Sequence, residues 1–202
     1  MDEKILEKAT ELFMQEGFKV VTMDEIAASM GISKKTIYRH YANKNILVEK
    51  SARSIAEKIL AKIDLIFSEQ INPIEELFRV RNEIAEIFTD QKTAGLQQLK
   101  KYYPEIHDKL KNSQSAKMEL CFQKSIERGI ELGLYRADID IWFIEKLHRN
   151  AMNFLMDDEV VHKDSKSFTE YQNKYLDYHI RAIGTEKGIE LLNELKQKLH
   201  EN

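Results

Sequence analysis

The chain has 202 residues, which is enough to bury a sizeable core in one large domain or two small ones. Its 31 basic and 34 acidic residues give a net charge of −3, and it contains only 2 prolines and 7 glycines. This composition predicts an all-α protein and excludes a broad, nonspecific nucleic-acid coat. No run of about 18 apolar residues occurs, so no transmembrane helix is expected. The acidic N-terminus predicts no secretory signal, and the single cysteine, Cys121, excludes an internal disulfide and favours a cytoplasmic protein.

The segment from Thr22 to Tyr41 predicts two short helices joined by a tight turn. Thr22 and Glu25 have the spacing of a capping box, in which each side chain hydrogen-bonds a free backbone amide at the start of a helix. Gly31 is expected to end that helix in the left-handed conformation, and Ser33 is expected to cap the next one. This order of signals indicates a DNA-reading helix-turn-helix.

The second of these helices concentrates groups that bind DNA. Ile37 and Tyr41 lie four residues apart and are expected to face inward, which leaves basic, hydroxyl and aromatic side chains on the open side. The residues expected to read base edges lie at its N-terminus: Ser33, Lys34, Lys35 and Thr36. The residues expected to position the phosphate backbone are Tyr38, His40 and Lys44. The alternative interpretation is a solvated helix face on an ordinary three-helix bundle.

Charge is concentrated in the same region. Residues 33–53 hold six basic side chains and one acidic side chain, whereas the chain as a whole is acidic. A basic island on an acidic protein is expected to bind a polyanion locally and to repel it elsewhere.

The first fifty residues resemble the N-terminal domain of the TetR (tetracycline-repressor) family. The matching residues are Ala9, Leu12-Phe13, Glu16-Gly17-Phe18, Thr22, Ile26-Ala27, Gly31-Ile32-Ser33, Tyr38, His40-Tyr41, Lys44 and Leu47. Lys35 departs from the pattern, because many members carry a small residue there. The resemblance implies DNA contacts at Thr22, Thr36, Tyr38, His40 and Lys44. The complete predicted DNA-binding set is Thr22, Ser33, Lys34, Lys35, Thr36, Tyr38, Arg39, His40 and Lys44.

Two domains are predicted: a helix-turn-helix DNA-binding domain of three helices over residues 1–46, and a larger helical ligand-binding and dimerisation domain over residues 47–202. Apolar periodicity and punctuation by proline and glycine divide the second domain into helices. The predicted helices cover residues 44–68, a segment beginning at Asn72-Pro73, and residues 92–101, 105–131, 139–156 and 167–183.

The last two predicted helices each carry two apolar stripes. A helix with two apolar faces needs two partners, and the second partner could be the same helix pair of another subunit. We therefore expect a homodimer, which would also present paired recognition helices to a palindromic operator. The residues assigned to the interface are Ile141, Ile144, Leu155, Tyr171, Tyr175 and Tyr178. The alternative is that each helix is buried centrally in one monomer.

The TetR resemblance implies an effector pocket in the larger domain. Apolar pockets with a few polar anchors are typical of small-molecule sites. The candidate pocket residues are Phe88, Tyr102, Met118, Cys121, Phe122, Trp142, His148, Asn150, Met152 and Phe154. The alternative is that these side chains, including a hydrogen-bonded His148, form ordinary core.

Other chemistries receive little support from the sequence. Asp158 and His162 have i,i+4 spacing but lie in a polar helix end, so no metal is expected there, and no cofactor or catalytic motif is found. The predicted function is a sequence-specific DNA-binding transcriptional regulator, a repressor relieved by an unknown small-molecule effector, with no enzymatic activity. The competing prediction is a helical protein-interaction module whose helix-turn-helix does not bind DNA.

Overall fold

The computed structural model describes residues 1–87, 97–155 and 168–200. Regular structure in these ranges is helical apart from an isolated antiparallel bridge between Tyr135 and Gly184, so the predicted all-α class is confirmed. The helices are α1 (Asp2–Glu16), α2 (Met23–Met30), α3 (Lys34–His40), α4 (Lys44–Ser68), α5 (Pro73–Ile87), α6 (Pro104–Glu131), α7 (Ile141–Leu155), α8 (Phe168–Ile183) and α9 (Glu186–His200). Residues 97–102 are also helical.

Three residues considered in the sequence analysis, Phe88, Asp158 and His162, lie outside the described ranges. Among the residues that the structure does describe, histidine, cysteine and carboxylate side chains form no group of three that could hold a metal ion. Within the same ranges, every helix is too short or too polar to cross a lipid bilayer.

The chain forms two compact units. The first comprises Met1–Ala61 and Ile87–Gln114, and the second comprises Lys62–Glu86 and Ser115–Asn202. The predicted domain boundary at residue 46 falls inside the first unit and stays a prediction.

The core of the first unit fixes the short helices against α1. Ile5, Phe13, Ile26 and Ile37 are fully buried, and the rings of Phe13 and Phe18 stack with centroids 5.0 Å apart. Burial of each large apolar side chain is worth about 1.5–3 kcal/mol, so together they outweigh the weak stability of helices as short as α2 and α3. The sequence pattern thus builds a rigid platform that presents one face of α3 to solvent.

The second unit packs around Phe122, Ile126, Ile180 and Leu192. Leu192 belongs to α9, which the sequence analysis did not identify. The sequence does contain a signal for this helix, because Thr185 is a favourable residue for the start of a helix. In the structure its hydroxyl accepts a hydrogen bond from the Gly188 amide at 3.2 Å, as a helix cap does.

Candidate nucleic-acid interface

The start of α2 is closed by the predicted capping box. The Glu25 amide donates to the Thr22 hydroxyl at 3.2 Å, and the Thr22 amide donates to the Glu25 carboxylate at 2.7 Å. The Thr22 hydroxyl also donates to that carboxylate at 3.0 Å. A phosphate contact by the Thr22 hydroxyl proton would therefore replace an existing hydrogen bond.

The turn between α2 and α3 depends on Gly31. This residue has φ 64° and ψ 29°, the left-handed conformation that only glycine adopts without strain. Its amide donates to the Ala28 carbonyl at 3.1 Å, and the Ile32 amide donates to the Ala27 carbonyl at 3.0 Å. These bonds satisfy the last carbonyls of α2 and set the direction in which α3 begins.

Two buried side chains hold α3 in place. Ile37 and Tyr41 are buried as predicted, and the Tyr41 hydroxyl donates to the Asp2 carbonyl at 3.2 Å. Ser33 caps the helix by accepting from the Thr36 amide at 3.1 Å, and its hydroxyl lies 2.9 Å from the Thr36 hydroxyl. The opposite face is solvent-exposed and carries Lys34, Lys35, Tyr38, Arg39 and His40, while Thr36 is half-buried.

The cations on this face differ in whether they are paired with a carboxylate. The Lys34 ammonium donates to the Asp24 carboxylate at 2.6 Å, and this hydrogen bond raises the pKa of Lys34. Lys35 and Arg39 form no ion pair within the described residues. The free positive charge of α3 is therefore carried by Lys35 and Arg39, whereas Lys34 is already neutralised by its own chain.

Lys44 and His40 contact other parts of the first unit. The Lys44 ammonium donates to the Lys19 carbonyl at 2.8 Å, and burial lowers the pKa of Lys44. The His40 ring lies 3.9 Å from the Asp2 carboxylate. Lys44 consequently ties the start of α4 to the loop after α1, besides its predicted role at DNA.

Comparison with known proteins agrees with this geometry. Residues 5–50 match the family described as bacterial regulatory proteins, tetR family. The HTH-type transcriptional repressor KstR2 of Mycobacterium tuberculosis is 25% identical over 156 residues, covering 73% of this chain and 76% of the relative. Residues 5–50 thus carry the DNA-binding domain of the TetR family. The uncharacterised HTH-type regulator YvaF of Bacillus subtilis is 33% identical over 104 residues, so the chain spans about half of that relative's length, 54%.

Solved structures of TetR-family and related regulators share the fold. A regulator from Saccharomonospora viridis in complex with choline superposes with a TM-score of 0.77 at 19% identity, covering 92% of this chain and 98% of that one. The ketosteroid regulator KstR2 of M. tuberculosis gives a TM-score of 0.59 at 21% identity, covering 92% and 95%. The chain thus shares the fold of these regulators over 92% of its length.

Part of the predicted effector pocket forms a cluster in the second unit. The Phe122 and His148 rings stack with centroids 4.1 Å apart, and the Tyr175 hydroxyl lies 3.1 Å from the His148 Nδ1. The same hydroxyl lies 3.3 Å from the Nδ1 of buried His179, which the sequence analysis missed. Burial lowers the pKa of both histidines, that of His179 to about 4. The missed signal was the i,i+4 spacing of Tyr175 and His179.

The remaining predicted pocket residues do not join this cluster as one cavity wall. Trp142 and Phe154 are 60% and 61% exposed, and Asn150 is exposed with its amide bonded to the Lys146 carbonyl at 2.8 Å. Tyr102 belongs to the first unit, where the Lys19 ammonium lies 4.1 Å from its ring centroid. Met118, Cys121 and Met152 are half-buried. Whether any of them contacts an effector stays a prediction.

The predicted interface residues lie in different surroundings within the chain, and their role in a dimer stays a prediction. Ile141 and Ile144 pack against the core of their own unit, and Leu155 is only 6% exposed, so these side chains already have a partner. On α8, Tyr178 is exposed, Tyr171 is half-buried, and Tyr175 points its hydroxyl at two histidines. The second apolar stripe of α7, which consists of Phe143, Leu147 and Phe154, is exposed among the described residues, as is Trp142.

Proposed function

We propose that a homodimer of this chain represses transcription by binding a palindromic DNA operator, and that a small-molecule effector releases it. The observation that carries the proposal is the solvent-facing surface of α3, where Lys35, Tyr38 and Arg39 stand opposite the buried anchors Ile37 and Tyr41. A recognition helix of this kind enters the major groove, with cations on phosphates and N-terminal residues at base edges.

The effector part of the proposal is supported by relatives. One structural neighbour holds choline, and another is described as a ketosteroid regulator. An effector releases DNA only to the extent that it binds better to the state whose recognition helices no longer match the operator half-sites.

Selection from random duplexes followed by binding measurements tests the DNA part. We expect enrichment of a pseudo-palindromic site, and fluorescence anisotropy should show the affinity falling about 10³- to 10⁵-fold between roughly 50 and 200 mM salt, because phosphate contacts release counterions. If no duplex is enriched and binding is insensitive to salt, the interaction-module function replaces this one.

Asp24→Asn is expected to strengthen operator binding about three- to tenfold. It should also steepen the slope of log binding constant against log salt concentration by about one for each Lys34 that becomes free. The reason is that the substitution removes the carboxylate that holds the Lys34 ammonium at 2.6 Å and makes this cation available to phosphate. Anisotropy titrations over a salt series measure both effects. Glu11→Gln is the matched control, since it breaks the exposed ion pair of Glu11 with Lys8 on α1 and should leave binding unchanged. An Asp24→Asn affinity equal to that of wild type contradicts a phosphate role for Lys34.

The proposed dimer interface is the α7–α8 apolar face, which we define as Trp142, Phe143, Leu147, Phe154 and Tyr178. All five side chains are exposed within the chain, and α7 packs against α8. Large apolar side chains left exposed on two packed helices are typical of a protein–protein interface, and a two-fold axis would cover them with their own copies.

The Phe143→Glu/Leu147→Glu variant is expected to be monomeric, because four buried carboxylates would be desolvated without partners at a symmetric interface. Size-exclusion chromatography with light scattering should give twice the chain mass for wild type and the chain mass for the variant. Leu132→Glu serves as control, since Leu132 is equally an exposed leucine of the second unit but lies outside this face. A variant that remains dimeric would move the interface elsewhere.

A further inference from the structure

The second unit contains a cavity of about 620 Å³ between α5, α8 and α9. Its volume is within the usual range of small-molecule sites. The described side chains that decide its chemistry are Phe78, Arg81, Lys174, Asp177 and Lys196.

Arg81 is the unusual member of this lining. Its side chain belongs to a residue that is only 9% exposed, and its Nε has no hydrogen-bond partner. Within the described residues Arg81 forms no ion pair, and its charged carbon lies 5.8 Å from the centroid of the Phe78 ring. A ring face compensates a desolvated cation only in part, so Arg81 is a largely buried cation without an anionic partner among the described residues.

The only carboxylate among the described lining residues is already occupied. Asp177 accepts from the Lys196 ammonium at 2.6 Å and from the Arg181 guanidinium at 3.1 Å. Lys174, at the exposed edge of the cavity, adds a further positive charge. The site therefore carries a surplus of positive charge, of which one unit, that of Arg81, is buried.

We propose that this cavity binds an organic carboxylate, whose anionic group pairs with Arg81 and whose apolar part lies against Phe78. The planar guanidinium fork matches a carboxylate, and one negative charge balances the one unpartnered buried cation. That this carboxylate is also the effector that releases DNA rests on the proposed function.

Thermal unfolding of the full chain with matched acids and amides tests the binding. The probes are benzoate against benzamide and hexanoate against hexanamide, with inorganic phosphate as a further arm. At a hundredfold excess over Kd, we expect an acid to raise the unfolding midpoint by roughly 5–10 °C. The corresponding amide and inorganic phosphate should raise it far less. Equal shifts with acid and amide, or no shift with either acid, overturn the proposal, and a phosphate shift larger than that of the acids replaces carboxylate by phosphate as the ligand class.

The Arg81→Met variant tests whether Arg81 binds the ligand or only stabilises the fold. We expect this variant to lose the response to acids and to unfold at a higher temperature without ligand, because an unpaired buried charge is replaced by an apolar side chain of similar length. Arg79→Met is the matched control on the same helix, since Arg79 is half-buried and paired with Glu69 and Glu75, and it should keep the acid response. Arg81→Gln provides a second variant with a polar side chain. Retention of the acid response in either Arg81 variant overturns the assignment.

Operator binding then distinguishes the two proposals. If an acid stabilises wild type through Arg81 and also weakens operator binding, the pocket and the effector role are both supported. If it stabilises the protein but leaves operator affinity unchanged, the pocket stands and the effector part of the proposed function fails.

Discussion

Lys35→Glu combined with Arg39→Glu is expected to abolish operator binding and leave the fold intact. Both side chains are exposed, and neither forms an ion pair within the described residues, so the substitutions break no such contact of the free protein. In the proposed homodimer they turn four cations at the DNA into four anions. We expect a loss of affinity on the order of 10³-fold or more, and a log–log salt slope lower by about 4 if each cation meets one phosphate.

Anisotropy on the selected duplex measures this loss, and thermal unfolding checks the fold. The charge-matched control is Lys58→Glu/Lys111→Glu, which changes exposed lysines on α4 and α6 of the same unit by the same amount. If net charge alone governed binding, both double variants would lose the same affinity. We expect the control to stay within about threefold of wild type, because neither lysine belongs to α3 and Lys58 lies roughly 20 Å along α4 from its start, well beyond a Debye length. A Lys35/Arg39 variant that still binds the operator places the DNA-contacting surface somewhere other than α3.

The local architecture of this surface could be predicted because its determinants lie three or four residues apart. Thr22 with Glu25 closes one helix start, and Ser33 with Thr36 closes the next. Gly31 has the backbone conformation that its position in the sequence requires. Each of these interactions depends on backbone geometry that adjacent residues fix by themselves, so tertiary packing was not needed to recognise them.

The pairing of the surface cations could not be predicted in the same way. Lys34 meets Asp24, ten positions earlier, and Lys44 meets the Lys19 carbonyl, twenty-five positions earlier. Both contacts depend on how the helices pack, and sequence spacing contains no signal for them. The consequence is functional, because two predicted DNA-binding cations are engaged within the protein before DNA arrives.

Periodicity likewise identified two apolar stripes on α7 without showing which one the chain buries itself. The stripe of Ile141 and Ile144 packs inward, and the stripe of Phe143 and Leu147 remains exposed. The larger aromatic stripe reads as core in the sequence as readily as the aliphatic one. Arg81 was missed for the opposite reason, since an arginine on an amphipathic helix ordinarily lies in solvent.

The buried pair His148 and His179 should make the stability of the second unit strongly dependent on pH. Burial lowers the pKa of His148 well below 6.5 and that of His179 to about 4, so His179 stays largely neutral in the folded state at pH 5, and protonation of His148 is opposed in the same direction. In the unfolded chain both rings titrate near 6.5. Below that pH the unfolded state therefore binds more protons at the two rings than the folded state does, and the free energy of unfolding decreases as the pH falls.

The size of this effect follows from the two proton uptakes. His179 lowers the free energy of unfolding by about 1.4 kcal/mol per pH unit once the pH is well below 6.5, which amounts to about 2 kcal/mol between pH 7 and pH 5, and His148 adds a decrease of the same sign. Urea unfolding at pH 7, 6 and 5 measures this decrease.

The His148→Gln/His179→Gln variant should show a flatter profile, and His107→Gln, which changes a histidine on the surface of α6, should retain the wild-type profile. Carboxylates titrate mainly below this window, so the difference between the two profiles from pH 7 to pH 5 isolates the buried pair. Parallel wild-type and double-variant profiles would mean that both rings take up protons in the folded state as readily as in the unfolded chain, and would contradict this prediction.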